Sequence, residues 1–213
     1  MDIIEWPVDA MRVSAEDWHL VGQTLVSQGI YGPGTHGFLE NRIWSVNVSL
    51  VHLQSSLWRA VRAVLDEARG QFGTIRVPVM CTLGLALGPV AFDGGVTFNG
   101  GARFGSHVPD DLVTKEALPA GASRVGLRGS LSMRLRLGTM FSLPGDALHR
   151  VARMDGDVAI VNPPLRRAVA RGSKVEVLAP TALMRLTEDD GRLSRLASGH
   201  TAPTTLRLVE VLQ

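Results

Sequence analysis

The chain has 213 residues, of which 45% are apolar and 20% charged, and a formal net charge of +2. That length allows one large or two small domains, and the apolar share excludes a disordered chain because enough surface can be buried to offset the entropy of ordering. No apolar run approaches the roughly 20 residues of a membrane-spanning helix, and MDIIEWPVDAM carries acids where a signal peptide carries lysine or arginine, so a whole mature chain without a membrane segment is expected.

Cys81 is the single cysteine, which rules out an intrachain disulfide and a cysteine-rich metal site and fits assembly in a cytoplasm. The first element, Trp18 to Gln28, could be a helix capped by Ser14, but Gly22 and the run TLVSQ favour a strand. GIYGPGTHG follows, with glycines at 29, 32, 34 and 37 around Pro33; a loop ordered by a partner is expected, and it holds Tyr31.

Ile43 to Val51 alternates, with Trp44, Val46, Val48 and Leu50 on one face and Ser45, Asn47 and Ser49 on the other, which predicts a half-buried strand. The period then changes. Leu57, Val61, Val64, Leu65 and Ala68 recur at helical spacing while Arg59, Arg62, Asp66 and Arg69 point away, so a helix is predicted, capped by Ser55 or Ser56 and ended by a left-handed Gly70. Its Leu57, Val61 and Leu65 face should pack on the sheet. In FGTIRVPV, Ile75, Val77 and Val79 restore period two, and Pro78 requires a strand end or an edge.

Gly84 to Gly105 contains seven glycines and reads as short strands joined by tight turns. From Ser123 onward brief apolar runs are separated by turn signals, from RVGLR through TMFSLPGD, LHRVARMDGD, VAIVNPP, KVEVLAP and ALMRL to TLRLVEVLQ, a spacing that predicts a small barrel or sandwich. The alternating tail, Thr205 to Leu212, is expected to return to the sheet of residues 43–79. This divides the chain into residues 1–80 with 178–213, and an inserted module over 81–177. Two prolines, Pro163 and Pro164, must end the VAIV strand, because neither offers an amide hydrogen and both fix φ; they should present Leu165 and Arg166 at a defined place. Arg166 is expected to pair with a carboxylate or with carbonyls, in its own barrel or across a subunit boundary.

Arg124 to Lys174 holds ten basic residues against Asp146, Asp155 and Asp157, a locally cationic stretch without the aromatic interleaving of a single-strand binding surface. Only Lys115 and Lys174 among the 22 basic residues are lysines. The residues show no pattern for catalysis. The six histidines are scattered with no pair at helical ligand spacing, and His149, after the turn at Gly145 and Asp146, reads as structural. Cys81 reads as a small buried thiol at a strand end, and Asp155-Gly156-Asp157 as a β-turn rather than a calcium loop. The glycines of residues 94–105 lack the Lys-Ser or Lys-Thr ending of a phosphate loop and are joined only by Arg103.

Four segments carry a resemblance: the tryptophan-led strand Trp44 to Leu50, the helix ending in Arg69, Gly70 and Phe72, GDALHRV at 145–151, and AIVNPPLRRAVARG at 159–172, of which Pro-Pro-Leu-Arg is the most specific. Over most of its length the chain resembles a family of small phage tail proteins found among tail-tip genes and in tail-like prophage and gene-transfer particles. In size and layout it is also similar to the distal tail proteins of long-tailed phages. Its glycine-rich stretch, Cys81 to Gly105, departs from that pattern.

The resemblance implies a mainly β fold, a β-sandwich with one packed helix plus a small OB-like β-barrel, and a non-enzymatic subunit with no cofactor. It implies a homo-oligomeric ring, a hexamer, in the virion tail, assembled in the host cytoplasm and joining tail tube to hub or tip proteins, with DNA only in passage through its lumen. Arg166, Arg167, Tyr31 and Arg103 are the interface candidates. Two other readings compete. One is a receptor- or carbohydrate-binding tail module using Trp6, Trp18 and Tyr31, although Trp44 and Trp58 read as core. The other is a cell-wall hydrolase, supported only by scattered acids.

Overall fold

The computed structural model of the chain describes residues 2–7, 13–22, 24–27, 35–38, 42–50, 55–80, 112–129, 135–188 and 204–212. Among them the protein is mainly β, with a single α-helix. Two units are resolved: Met1–Met80, Asp146–Leu148 and Thr181–Gln213 form the first, and Cys81–Gly145 with His149–Pro180 the second.

The first unit is organised by β5 (Ile43–Leu50), in which Trp44, Val46, Val48 and Leu50 are buried and the residues between them half-exposed. This is the period-two pattern of a strand with one dry face. β2 (Val13–Val21) pairs antiparallel along one side of it, from Val13 opposite Leu50 to Val21 opposite Ile43. β13 (Thr204–Glu210) pairs along the other, placing Leu206 opposite Val48 and Leu208 opposite Val46 so that both extend the dry face. The chain's last described strand is therefore interior to the sheet.

Beyond β13 lie β12 (Thr181–Leu186), β6 (Thr74–Pro78) and the short β1 (Ile3–Glu5), giving the order β1-β6-β12-β13-β5-β2. β1 runs parallel to β6 and every other pairing is antiparallel. Pro78 is the last residue of β6, where its missing amide hydrogen breaks no ladder. β3 (Thr24–Ser27) and β4 (Thr35–Phe38) form a separate two-stranded sheet.

α1 (Ser55–Ala68) joins β5 to β6 and lies beside β1, with Val61, Leu65 and Ala68 buried at helical spacing. The side chains of Leu57 and of the predicted caps Ser55 and Ser56 fall outside the described residues. The helix ends differently from expectation: Arg69 (φ 47°) as well as Gly70 (φ 67°) is left-handed, and the following turn brings the Gly73 amide to the Ala68 carbonyl at 2.7 Å. A Cβ on Gly73 would stand 2.5 Å from the Ala68 Cα, so the close return requires glycine.

The second unit is built on β7 (Val113–Thr114), β8 (Arg124–Arg128), β9 (Met140–Leu143), β10 (Ala147–Asp155, of which the part from His149 onward belongs to this unit) and β11 (Val158–Asn162), in the order β7-β8-β11-β10-β9. Residues 173–177 join its two edges. On one side Thr114 donates to the Ser173 carbonyl at 3.0 Å and Val175 to the Leu112 carbonyl at 2.8 Å; on the other, Ser142 and Glu176 exchange both backbone bonds at 2.8 and 2.9 Å. Val175 and Val177 point inward, so the KVEVL alternation supplies the segment that closes a small barrel. Closure removes the unpaired edges that an open sheet would leave. Val125, Leu127, Phe141, Val151, Val161 and Leu165 are among the side chains that fill its core.

Candidate assembly surface

The Pro-Pro-Leu-Arg phrase is built into the barrel wall. β11 stops at Asn162, the residue before Pro163, as the loss of two amide donors requires. The Asn162–Pro163 peptide is cis. Leu165 is not presented outward: it is 2% exposed, its amide donates to the Ala122 carbonyl at 2.8 Å, and its carbonyl accepts from Gly121 at 2.6 Å. The stiff exit from the strand seats an apolar side chain in the core and leaves the two arginines half-buried.

Arg167 lies over the turn between β9 and β10, where its Nη2 donates to the Pro144 carbonyl. Gly145 (φ 80°) and Asp146 (φ 60°) are both left-handed there, and a Cβ on Gly145 would overlap the Arg167 guanidinium. The turn thus needs glycine for its conformation and for the arginine stacked on it. Of the interface candidates, Arg167 is held by its own unit. Arg166 is half-buried beside His149, and Tyr31 and Arg103 lie outside the described residues, as does Cys81.

His149 gave the sequence no signal beyond its place after a turn, yet it is a central tie of the barrel. Its ring is 1% exposed and stands 5.9 Å from Phe141, with Nδ1 2.9 Å from the Pro163 carbonyl. A carbonyl only accepts, so Nδ1 carries the proton and Nε2 a lone pair, which has no hydrogen-bond partner. Burial lowers its pKa from the ordinary 6.5 to about 4. The bond to Pro163 opposes that shift and the Arg166 charge adds to it. The imidazole is neutral at pH 7 and links β10 to the Pro-Pro segment.

In the first unit Arg76 of β6 faces two carboxylates, bonding Asp146 at 3.1 Å and Glu5 of β1. Asp146 also accepts from the Thr181 hydroxyl at 2.6 Å. Three strands along the sheet, on β5, the Trp44 amide donates to buried Glu210 at 2.9 Å and the Trp44 indole to the Leu148 carbonyl at 2.8 Å. Periodicity could not show these contacts, because the partners are about 35 to 170 positions apart and each looks like an ordinary side chain in sequence.

The proposed sugar-stacking residues are corrected: Trp6 and Trp18 are 5% and 6% exposed, and Trp18 packs edge-on against Trp44 with ring centroids 6.3 Å apart. They are core. Asp155 and Asp157 flank the left-handed Gly156 in the turn between β10 and β11 and pair with Arg124 and Lys115.

What stands open among the described residues is a strand edge. β2 is the outermost strand of the first sheet, nine residues long, and the three-residue β1 forms the opposite edge. Phe72, 81% exposed on the turn after α1, is the most exposed large apolar side chain described. No family model and no curated protein matches the chain.

Proposed function

We propose that the chain is a non-enzymatic structural subunit of a phage-type tail tip, a distal ring component that joins tail tube to tip proteins. The observation that supports this reading is the contrast between its units. Among the described strands the barrel has its two edges joined, whereas none pairs beyond β1 or β2 at the ends of the first sheet, and a sheet end offers backbone donors and acceptors to a neighbouring strand. Two different edges on one sheet suit a head-to-tail contact, which closes into a ring when the rotation permits. In the ring the subunit works in the virion tail through contacts with itself and its neighbours.

Mass measurement of the purified protein in solution, followed by negative-stain images, tests the proposal. Closed rings of one subunit number, a hexamer by the resemblance described above, are expected. A protein that stays monomeric at high concentration and also with tube and tip proteins present would overturn it.

A further inference from the structure

The barrel carries an unbalanced charge. Its described residues include Arg124, Arg128, Arg136, Arg150, Arg153, Arg166, Arg167, Arg171, Lys115 and Lys174 against Glu116, Asp155, Asp157 and Glu176. Both lysines are paired with the barrel's own acids, Lys115 with Asp157 and Lys174 with Glu176 at 3.3 Å. The surplus is therefore arginine, whose planar fork matches phosphate oxygens.

Two of these arginines fall in one register row across the wall, and a third, Arg136, lies on the turn that adjoins it. Arg124 of β8 pairs in register with Ile160 of β11, and Ile160 with Arg153 of β10. Neighbouring strands are about 4.8 Å apart, which places Arg124 and Arg153 roughly 10 Å from each other. The row continues to the turn at residues 136–139, whose Gly138 amide bonds Val151, two residues before Arg153. Arg124, Arg136 and Arg153 are all exposed. Only Arg124 has an acid partner in the row, Asp155 at 3.0 Å, and both members are more than half exposed, so water screens that pair.

We propose that this row binds the phosphate backbone of double-stranded nucleic acid without regard to sequence. Charge complementarity selects a polyanion, and two observations narrow it. A second copy of the chain is a less suited counterpart, because Glu5, Asp66, Asp146 and Glu188, four of the described acids of the first unit, already pair with that unit's own arginines. Single strands are held by stacking on exposed aromatic rings, and Phe141, the one aromatic residue described in the barrel besides His149, is buried. The inference is independent of the ring proposal and goes beyond passage of DNA through a lumen.

Three phosphate contacts predict a slope of about −2.7 for log affinity against log salt concentration, so affinity should fall about 40-fold between about 50 and 200 mM salt. Fluorescence anisotropy of the full chain with labelled duplexes of two unrelated sequences measures this. Equal binding of both and that slope are expected. In Arg136→Gln/Arg153→Gln the slope should flatten by about 2, while Arg136→Lys/Arg153→Lys keeps it, which separates lost charge from a damaged barrel. No binding at low salt, an unchanged slope in the glutamine variant, or tighter binding of single strands than of duplex overturns the proposal.

Discussion

His149 makes the barrel acid-sensitive in a definite direction. In the unfolded chain its ring takes up a proton near pH 6.5, whereas the buried ring resists protonation until about pH 4. Below 6.5 the unfolded state binds more protons, so stability is fully present above that pH and is lost as pH falls toward 4. The loss for this one group is about 3 kcal/mol. Chemical denaturation at a series of pH values should show the decline, and His149→Phe should flatten it. Arg166→Ala removes a charge that disfavours the imidazolium and so raises the folded pKa; the decline should begin at the same pH and be smaller. A steeper decline in that variant would show that Arg166 stabilises the barrel in another way. At Gly145, alanine meets both a positive φ and the Arg167 guanidinium, and a loss of about 1 to 3 kcal/mol is expected in a melting measurement.

Among elements, the helix and its neighbouring sheet were the most legible in sequence, since Val61, Leu65 and Ala68 repeat at helical spacing and the Trp44 to Leu50 alternation gives the dry face directly. A charge at the centre of that helical stripe is costly: Val61→Asp should destabilise the first unit by several kcal/mol, as an unpaired carboxylate in a dry contact does. Unchanged thermal stability would remove the assignment. The return of the tail, expected from its alternation, is seen in β13. Its interior place between β5 and β12 predicts that deletion of residues 204–213 abolishes cooperative melting of the first unit, because both neighbours lose a ladder. The left-handed Arg69 was not legible, since glycine at the next position was a sufficient stop and nothing in a sequence marks a second residue that must follow it into positive φ. Nor was the burial of Leu165: the prolines fix where a strand ends, but which way the next side chain turns depends on Gly121 and Ala122, some forty positions earlier.

At the scale of the molecule, periodicity made the mainly β class readable, because short alternating runs between turn residues have few other solutions. It could not reveal how edges are treated. Closure through residues 173–177 depends on bonds to strands about 30 and 60 positions away, and an open β2 looks the same in sequence as a covered one. The ring proposal belongs to this scale. Proline in place of His19 or Leu20, adjacent residues whose amides point to opposite sides of β2, would show whether the edge is used. The variant with the proline amide on the open side should fold and melt as a monomer while losing assembly, and normal ring formation by both would count against edge pairing.

The place of β13 in its sheet also bears on the order of events during synthesis. β1, β2, β5 and β6 have all been synthesised by Pro78, but the strand that belongs beside β5 ends only at Glu210. About 125 residues must be added before it starts, roughly 6 to 25 s of translation. Through that interval the apolar face led by Trp44 has no native neighbour on one side, and the barrel sequence emerges and can close by residue 177, ahead of the unit that began first. The chain should fold in the reverse of its reading order. Released chains truncated after residue 180 should protect the barrel from protease while residues 1–80 are still cut, and heat or crowded expression should harm the first unit most.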